Sequence, residues 1–141
     1  MDMEVHRSIQ GVSVGDEIDP ISIPITLQRL VMEAGANRDF SLIHHDRDVA
    51  RATGASDAYA NTFFLAGMFE RLLREWMGPA GQLNKIVNLR MNAFNVVGDT
   101  LTVAGTVTAI DVDTAKVSVA LRCATDSGET VTAEATVTLP Q

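Results

Sequence analysis

The sequence has almost no cysteine, no excess of positive charge and no long hydrophobic run. Its one cysteine, Cys123, excludes a disulfide within the chain. Cys123 follows apolar residues at the spacing of a strand, which indicates a small buried side chain and not a nucleophile. No apolar segment approaches the roughly 20 residues that cross a bilayer, so we expect no membrane segment.

Basic residues are also few, with 11 Lys and Arg against 18 Asp and Glu and a net charge of −7. This balance argues against a nucleic-acid partner, because neutralising phosphates needs clustered cations in excess. A small anionic ligand would need only a local group of cations, and the candidates are Arg38, Arg47, Arg51, Lys85 and Arg90. The N-terminal segment lacks the basic start and apolar core of a secretion signal, and the expected location is the cytoplasm.

Hydrophobic residues make up 46% of the 141 residues, and no repeat divides the chain, so we expect one domain over residues 1–141. The first half has short elements. The segment PISIPI (20–25) predicts a strand, Thr26 an N-cap for a helix that ends at Gly35, and Asp46 an N-cap for a second helix, RDVARAT, which stops at Gly54.

A longer helix is predicted within ANTFFLAGMFERLLREWMGPAG. Six apolar residues recur there at the spacing of one helical face: Leu65, Met68, Phe69, Leu72, Leu73 and Trp76. A helix of roughly 17 residues would be about 26 Å long, and its apolar face needs an equally extended cover. A sheet is the expected cover.

Four alternating segments follow Gly81: LNKIVNLRMNAF, DTLTVAGTVTAID, AKVSVALRCATD and ETVTAEATVTL. Apolar residues on one parity and Thr, Ser, Glu and Arg on the other are typical of half-buried antiparallel strands. The short links predict a meander. The fold class is therefore α+β, with an antiparallel sheet wrapped around a long central helix, a layout that resembles the hotdog fold.

The stretch NRDFSLIHHDRDVARATG contains the strongest candidates for catalytic residues. Asp39 and His44 lie five residues apart across an apolar segment, and a turn between them could face a carboxylate and an imidazole to one water. The same residue types also serve as loop caps, which is the structural alternative. A metal site at His44, His45 and Asp46 is disfavoured, since neighbouring side chains diverge and zinc needs three or four converging ligands.

The segment from Asp39 to Asp46 resembles the D-x-N-P-[IL]-H-x-D signature of the MaoC-like, R-specific enoyl-CoA hydratases. DRDVARATG resembles that family's D-x-x-x-A-x-x-x-G helix, and LRMNAFNVVGDTLTVAGTV resembles its R-F-x-x-P-V-x-x-G-D-T-L strand pair. YANTFFLAGM lies where the family carries H-G-M, and its YANT variant is most similar to subunits that hydrate steroid side-chain CoA thioesters. Together the similarities cover roughly residues 15 to 140.

The resemblance implies reversible syn addition of water to a 2-enoyl-CoA thioester, with Asp39 and His44 as the catalytic pair. No cofactor is implied, since coenzyme A is part of the substrate. The implied substrate-binding residues are Asn61, Thr62, Phe63 and Arg90, with a backbone N–H near Thr62 facing the thioester oxygen.

The chain departs from the family pattern at three places. Ser41-Leu42 replaces N-P, which removes a rigid proline from the loop. Asn61-Thr62 replaces H-G, and the Thr62 side chain narrows an approach that glycine leaves open. Phe94 and Val97 lie where the strand motif favours proline, a difference that concerns the shape of the strand.

Two other functions stay open: a hotdog thioesterase, in which a carboxylate activates water against the thioester carbonyl, and a non-catalytic subunit that binds acyl-CoA. For the hydratase, the resemblance implies a homodimer or a hetero-oligomer with another MaoC-like subunit, because family sites form between subunits.

Overall fold

A computed structural model describes residues 5–141, and residues 1–4, which belong to the expected domain, lie outside the described residues. The described residues form three α-helices and five strands, with short 3₁₀ turns between them. They are β1 Glu17–Pro24, α1 Leu27–Ala36, α2 Arg47–Ala52, α3 Thr62–Met77, β2 Gln82–Met91, β3 Thr100–Asp111, β4 Lys116–Thr125 and β5 Gly128–Thr138. The structure therefore confirms an α+β hotdog fold in which a helix packs against one antiparallel sheet.

The predicted helix starts are confirmed. The side-chain oxygen of Thr26 accepts a hydrogen bond from the backbone N–H of Arg29 at 3.1 Å, and Asp46 accepts two such bonds from the first turn of α2. Gly54, just beyond α2, has a φ of +101°, a conformation that glycine adopts without steric cost. α1 ends at Ala36, one residue after the predicted Gly35.

The core lies between α3 and the inner face of the sheet. All six apolar residues of the predicted α3 stripe are buried, as are the alternate residues of β3, β4 and β5 that the sequence assigns to the inside. Cys123 belongs to this layer, and burial raises the pKa of its thiol to about 12, consistent with a packing role. No helix within residues 5–141 is long and apolar enough to cross a membrane.

The predicted four-strand meander is wrong at β2. The strand order is β1-β3-β4-β5-β2, so β3, β4 and β5 form a meander while β2 pairs with β5 at the far edge. The link 92–99 is the physical reason, because it pairs with the segment before α3 instead of forming a hairpin. The Ala60 N–H donates to the Asn95 carbonyl and the Val97 N–H to the Ala58 carbonyl, each at 3.0 Å.

Candidate active site

The loop 37–46 begins at the last turn of α1. The backbone N–H of Asp39 donates to the carbonyl oxygen of Ala34 at 2.8 Å, and Arg38 adopts a positive φ of +56°. The chain thus turns back towards the end of α1, and this contact fixes the position of Asp39. A 3₁₀ helix, Leu42–His44, follows and directs the imidazole of His44 inward, so that His44 is only 4% exposed.

Helix α2 anchors the far end of this loop. Asp46 caps it, and Arg47 forms an ion pair with Asp57 at 3.0 Å in the segment that leads to α3. The backbone N–H of Tyr59 donates to the carbonyl oxygen of Ile43 at 3.4 Å. The loop is therefore tied at three places: to α1, to α2 and to the entry of α3.

Asp39 and His44 face each other at the centre of the site. Asp39 Oδ2 lies 3.0 Å from His44 Nε2, and His44 Nδ1 lies 2.7 Å from the carbonyl oxygen of Tyr59. A carbonyl can only accept, so Nδ1 carries a hydrogen. The contact between Nε2 and Oδ2 then needs one proton, either on the imidazole or on the carboxyl, because two lone pairs would repel. The pair shares one acidic proton.

The carboxylate of Asp39 is held in its charged form. A hydrogen bond from the Ser41 backbone N–H to Oδ1 at 3.2 Å is the main cause that lowers the pKa of Asp39. The Nδ2 of Asn61 donates to Oδ2 at 3.1 Å and also lowers the pKa of Asp39; burial opposes these effects, and His44 lowers the pKa further. Hydrogen bonds from Ser41 and Asn61 thus favour the charged form of this carboxyl.

Three of the four predicted substrate-binding residues lie beside this pair. Asn61 is buried and caps α3 by accepting the backbone N–H of Phe64 at 2.8 Å. Thr62 begins the helix and is exposed, and the side chain of Phe63 is 63% exposed. These residues and Asp39 line a cavity of about 230 Å³, whose other walls are Ile43, His44, Tyr59, Ala60 and Met91.

The structure does not bring the fourth residue, Arg90, to this cavity. Its side chain lines a separate depression on the sheet with Asn88, Arg122 and Glu134. Its neighbour Met91 lines the site instead, because successive residues of a strand point to opposite faces.

The alternative of a metal site gains no support in residues 5–141. No group of three His, Cys, Asp or Glu side chains there is placed to hold a metal ion. His45 is exposed, and Asp46 is occupied as the cap of α2. Of the His44, His45 and Asp46 cluster, only His44 faces the cavity.

Sequence reasoning missed two contributors to the site. Tyr59 acts through its backbone carbonyl, for which no side-chain pattern exists. Met91 lines the cavity, but the strand pattern of the sequence does not distinguish it from the other residues of its strand.

Comparison with known proteins adds relatives to this geometry. No protein-family model matches the chain. A curated protein of Mycobacterium tuberculosis, the 3-oxo-4,17-pregnadiene-20-carboxyl-CoA hydratase beta subunit, is 39% identical over 82 residues. That match covers 58% of this chain and 63% of the relative, so it spans somewhat less than two thirds of the relative's length.

Two solved structures resemble nearly the whole chain. A chain of the ChsH1-ChsH2 complex from Mycobacterium tuberculosis is 30% identical with a TM-score of 0.84, covering 90% of this chain and 98% of that one. The (R)-hydratase from A. caviae involved in PHA biosynthesis is 27% identical with a TM-score of 0.85, covering 93% and 99% respectively. With its hotdog fold and these relatives, the chain belongs to the family of MaoC-like hydratases.

Proposed function

We propose that this chain is the catalytic subunit of an enoyl-CoA hydratase, which adds water reversibly across the α,β double bond of a 2-enoyl-CoA thioester. The observation that carries the proposal is the 3.0 Å contact between Asp39 and His44, together with the fixed hydrogen on Nδ1. It places a carboxylate and an imidazole side by side at the cavity, where they can act together on one water and one carbon of a bound thioester.

The proton balance of hydration fits a pair that holds one proton. Asp39 accepts a proton from water as the water oxygen bonds to Cβ, and His44 Nε2–H delivers its proton to Cα. The pair then holds one proton on the carboxyl in place of the imidazole. Transfer across 3.0 Å restores the starting state, and the same steps in reverse give dehydration.

The negative charge that develops on the thioester oxygen needs donors that are already in place. The backbone N–H groups of Thr62 and Phe63 are at the start of α3 and have no acceptor within the helix. The positive end of the helix dipole adds to them. We therefore assign the oxyanion donors to this turn, with Thr62 as the first candidate.

A second subunit completes the proposed site. The cavity of about 230 Å³ is below the roughly 300–1,000 Å³ typical of pockets for drug-sized ligands. Apolar side chains near it are exposed, with Phe40 at 78%, Leu42 at 51% and Phe63 at 63%. We propose that a second copy or another MaoC-like chain covers them. The relatives favour a hetero-oligomer and a bulky acyl group such as a steroid side chain.

The test is a turnover assay on the protein alone and mixed with MaoC-like chains of the same genome. Short-chain and bulky enoyl-CoA esters are supplied, and loss of the conjugated thioester absorbance is followed. We expect Asp39→Asn and His44→Ala to lower kcat by about 10²–10⁴-fold with an unchanged circular dichroism spectrum. His45→Ala, the exposed neighbour, is the matched control.

Two results would overturn the proposal. Release of free CoA, measured with a thiol reagent, would show a thioesterase. Turnover that appears only with a second chain and survives Asp39→Asn would identify this chain as a non-catalytic acyl-CoA-binding subunit.

A further inference from the structure

We propose that Met91 is a specificity-determining residue, whose side chain forms the cavity wall between β2 and the start of α3 and limits the size of the acyl group that binds beside Asp39 and His44. The inference rests on the proposed function, because it concerns the acyl thioester that the same site would take. Three observations carry it: the direction of Met91 in β2, its contact with α3 and the chemistry of the cavity walls.

Met91 faces the cavity because the last part of β2 contains a β-bulge. The pairing with β5 shifts between Val87 and Arg90, where two residues of β2 stand opposite only one of β5. The side chains of this part of β2 that pack against the core are Ile86, Leu89 and Met91. Strict alternation from Ile86 would turn Arg90 inward, so the bulge brings a thioether and not a guanidinium to the site.

Asn88 fixes the bulge through its backbone and its side chain. It adopts a φ of +55°, a left-handed conformation that asparagine tolerates better than most residues. Its Nδ2 donates to Oε2 of Glu134 on β5 at 2.7 Å. The strand is thereby tied to its neighbour at the irregular position, and the inward direction of Met91 is set three residues later.

The side chain of Met91 spans the gap between the sheet and the first residue of α3. The Thr62 hydroxyl lies 3.9 Å from Met91 Sδ and donates a weak hydrogen bond to the sulfur. Thr62 is also the first candidate for the oxyanion donor, so the thioether lies close to the position assigned to the thioester group. An acyl chain that extends from this position towards β2 meets the Met91 side chain.

The cavity walls suit an acyl group and not the phosphates of coenzyme A. Ile43, Phe63 and Met91 supply apolar surface, and no Lys or Arg lines the cavity among the residues that the structure describes. Phosphates are usually held by such cations. In an apolar pocket, one methylene more or less changes the discrimination between ligands about 10–200-fold. In a cavity of about 230 Å³, the length of one wall side chain is therefore enough to select by size.

The experiment measures the binding of two saturated thioesters, butanoyl-CoA and the bulkier cyclohexanecarbonyl-CoA, by isothermal titration calorimetry. Neither has a double bond to hydrate, so the affinities do not depend on turnover. The readout is the Kd of butanoyl-CoA divided by the Kd of cyclohexanecarbonyl-CoA. In Met91→Ala we expect this ratio to rise about tenfold over the parent, because the shortened wall admits the ring.

Leu89→Ala is the matched control, since it truncates an inward side chain of the same strand that does not line the cavity. It should leave the ratio within about twofold of the parent. If Met91→Ala does not fold, Met91→Val also shortens the side chain, suits a strand and carries the same test.

An unchanged ratio in the Met91 variant, or an equal rise in Leu89→Ala, would overturn the inference. So would a parent protein that binds neither thioester, alone or with the second subunit. The proposed function fails in a different way: a ratio that rises in the Met91 variant, without turnover of any enoyl-CoA ester by the parent, would refute hydration and support the role of Met91.

Discussion

The interface of α3 with the sheet and the loop 37–46 are held by different forces. Between α3 and the sheet, fully buried hydrocarbon such as Phe69 and Leu73 packs against the valines and leucines of β3 to β5. The loop leaves Phe40 and Leu42 exposed and is held by a few hydrogen bonds. Stability is concentrated in the first region and the proposed chemistry in the second, so most changes in one should leave the other intact.

A cavity in the core should have the largest effect and should be confined to stability. Phe69 is fully buried, and Phe69→Ala is expected to lower the free energy of unfolding by about 3–5 kcal/mol. Urea unfolding followed by circular dichroism measures it. Glu70→Ala, one residue along on the exposed face, should stay within about 0.5 kcal/mol. Equal losses would mean that α3 is not the packing centre.

Asn61 is the residue that joins the two regions. Asn61→Ala removes the N-cap of α3 and should cost about 0.5–2 kcal/mol in thermal unfolding, together with much of the turnover. Asn61→Asp can still cap the helix but places a second negative charge at Asp39. We expect it to recover the stability and not the activity. Recovery of both stability and activity would show that Asn61 acts as a helix cap and is not needed for the chemistry.

The exposed rim of the site should affect association and not folding. Phe40→Ser is expected to change the free energy of unfolding by less than about 0.5 kcal/mol, because its side chain is 78% exposed. It should weaken association with the second subunit about tenfold, as loss of an aromatic contact does. Analytical ultracentrifugation measures this, with Val14→Ser, also exposed, as the control. Unchanged association would place the interface elsewhere.

The smallest expected effect is the pH dependence from Asp39. The pKa of Asp39 is lowered in the folded state. Its contribution to stability is therefore present above the unfolded-state pKa of about 3.9 and is lost as the pH falls through the lowered pKa. The side chain is partly exposed, and the contribution is correspondingly small. The Tm difference between the parent and Asp39→Asn should narrow from pH 6 to pH 3. A Tm difference that stays constant between pH 6 and pH 3 would contradict this prediction.

The sequence predicts the first region well because its information is periodic. The α3 stripe and the alternate residues of β3 to β5 are buried as predicted. Thr26 and Asp46 are recognisable caps because capping depends on local chemistry. The position of β2 is not predictable in this way, since an alternating pattern says which face is buried and not which strand lies beside it.

The sequence predicts only part of the candidate site. The resemblance singles out Asp39 and His44, and the structure places them in contact, while their catalytic role stays a prediction. The motif predicts Arg90 as a substrate-binding residue, but strand alternation turns Met91 to the cavity instead.

The position of β2 also bears on the order in which the molecule can form. Met91, a wall of the cavity, is held in register by Val131 of β5, so this wall lacks its partner strand until the last strand has been synthesised. Such long-range pairing forms slowly, because loop-closure entropy is paid before the contacts form. During translation, the pocket should therefore be among the last parts to become competent, long after Asp39 and His44 have emerged from the ribosome.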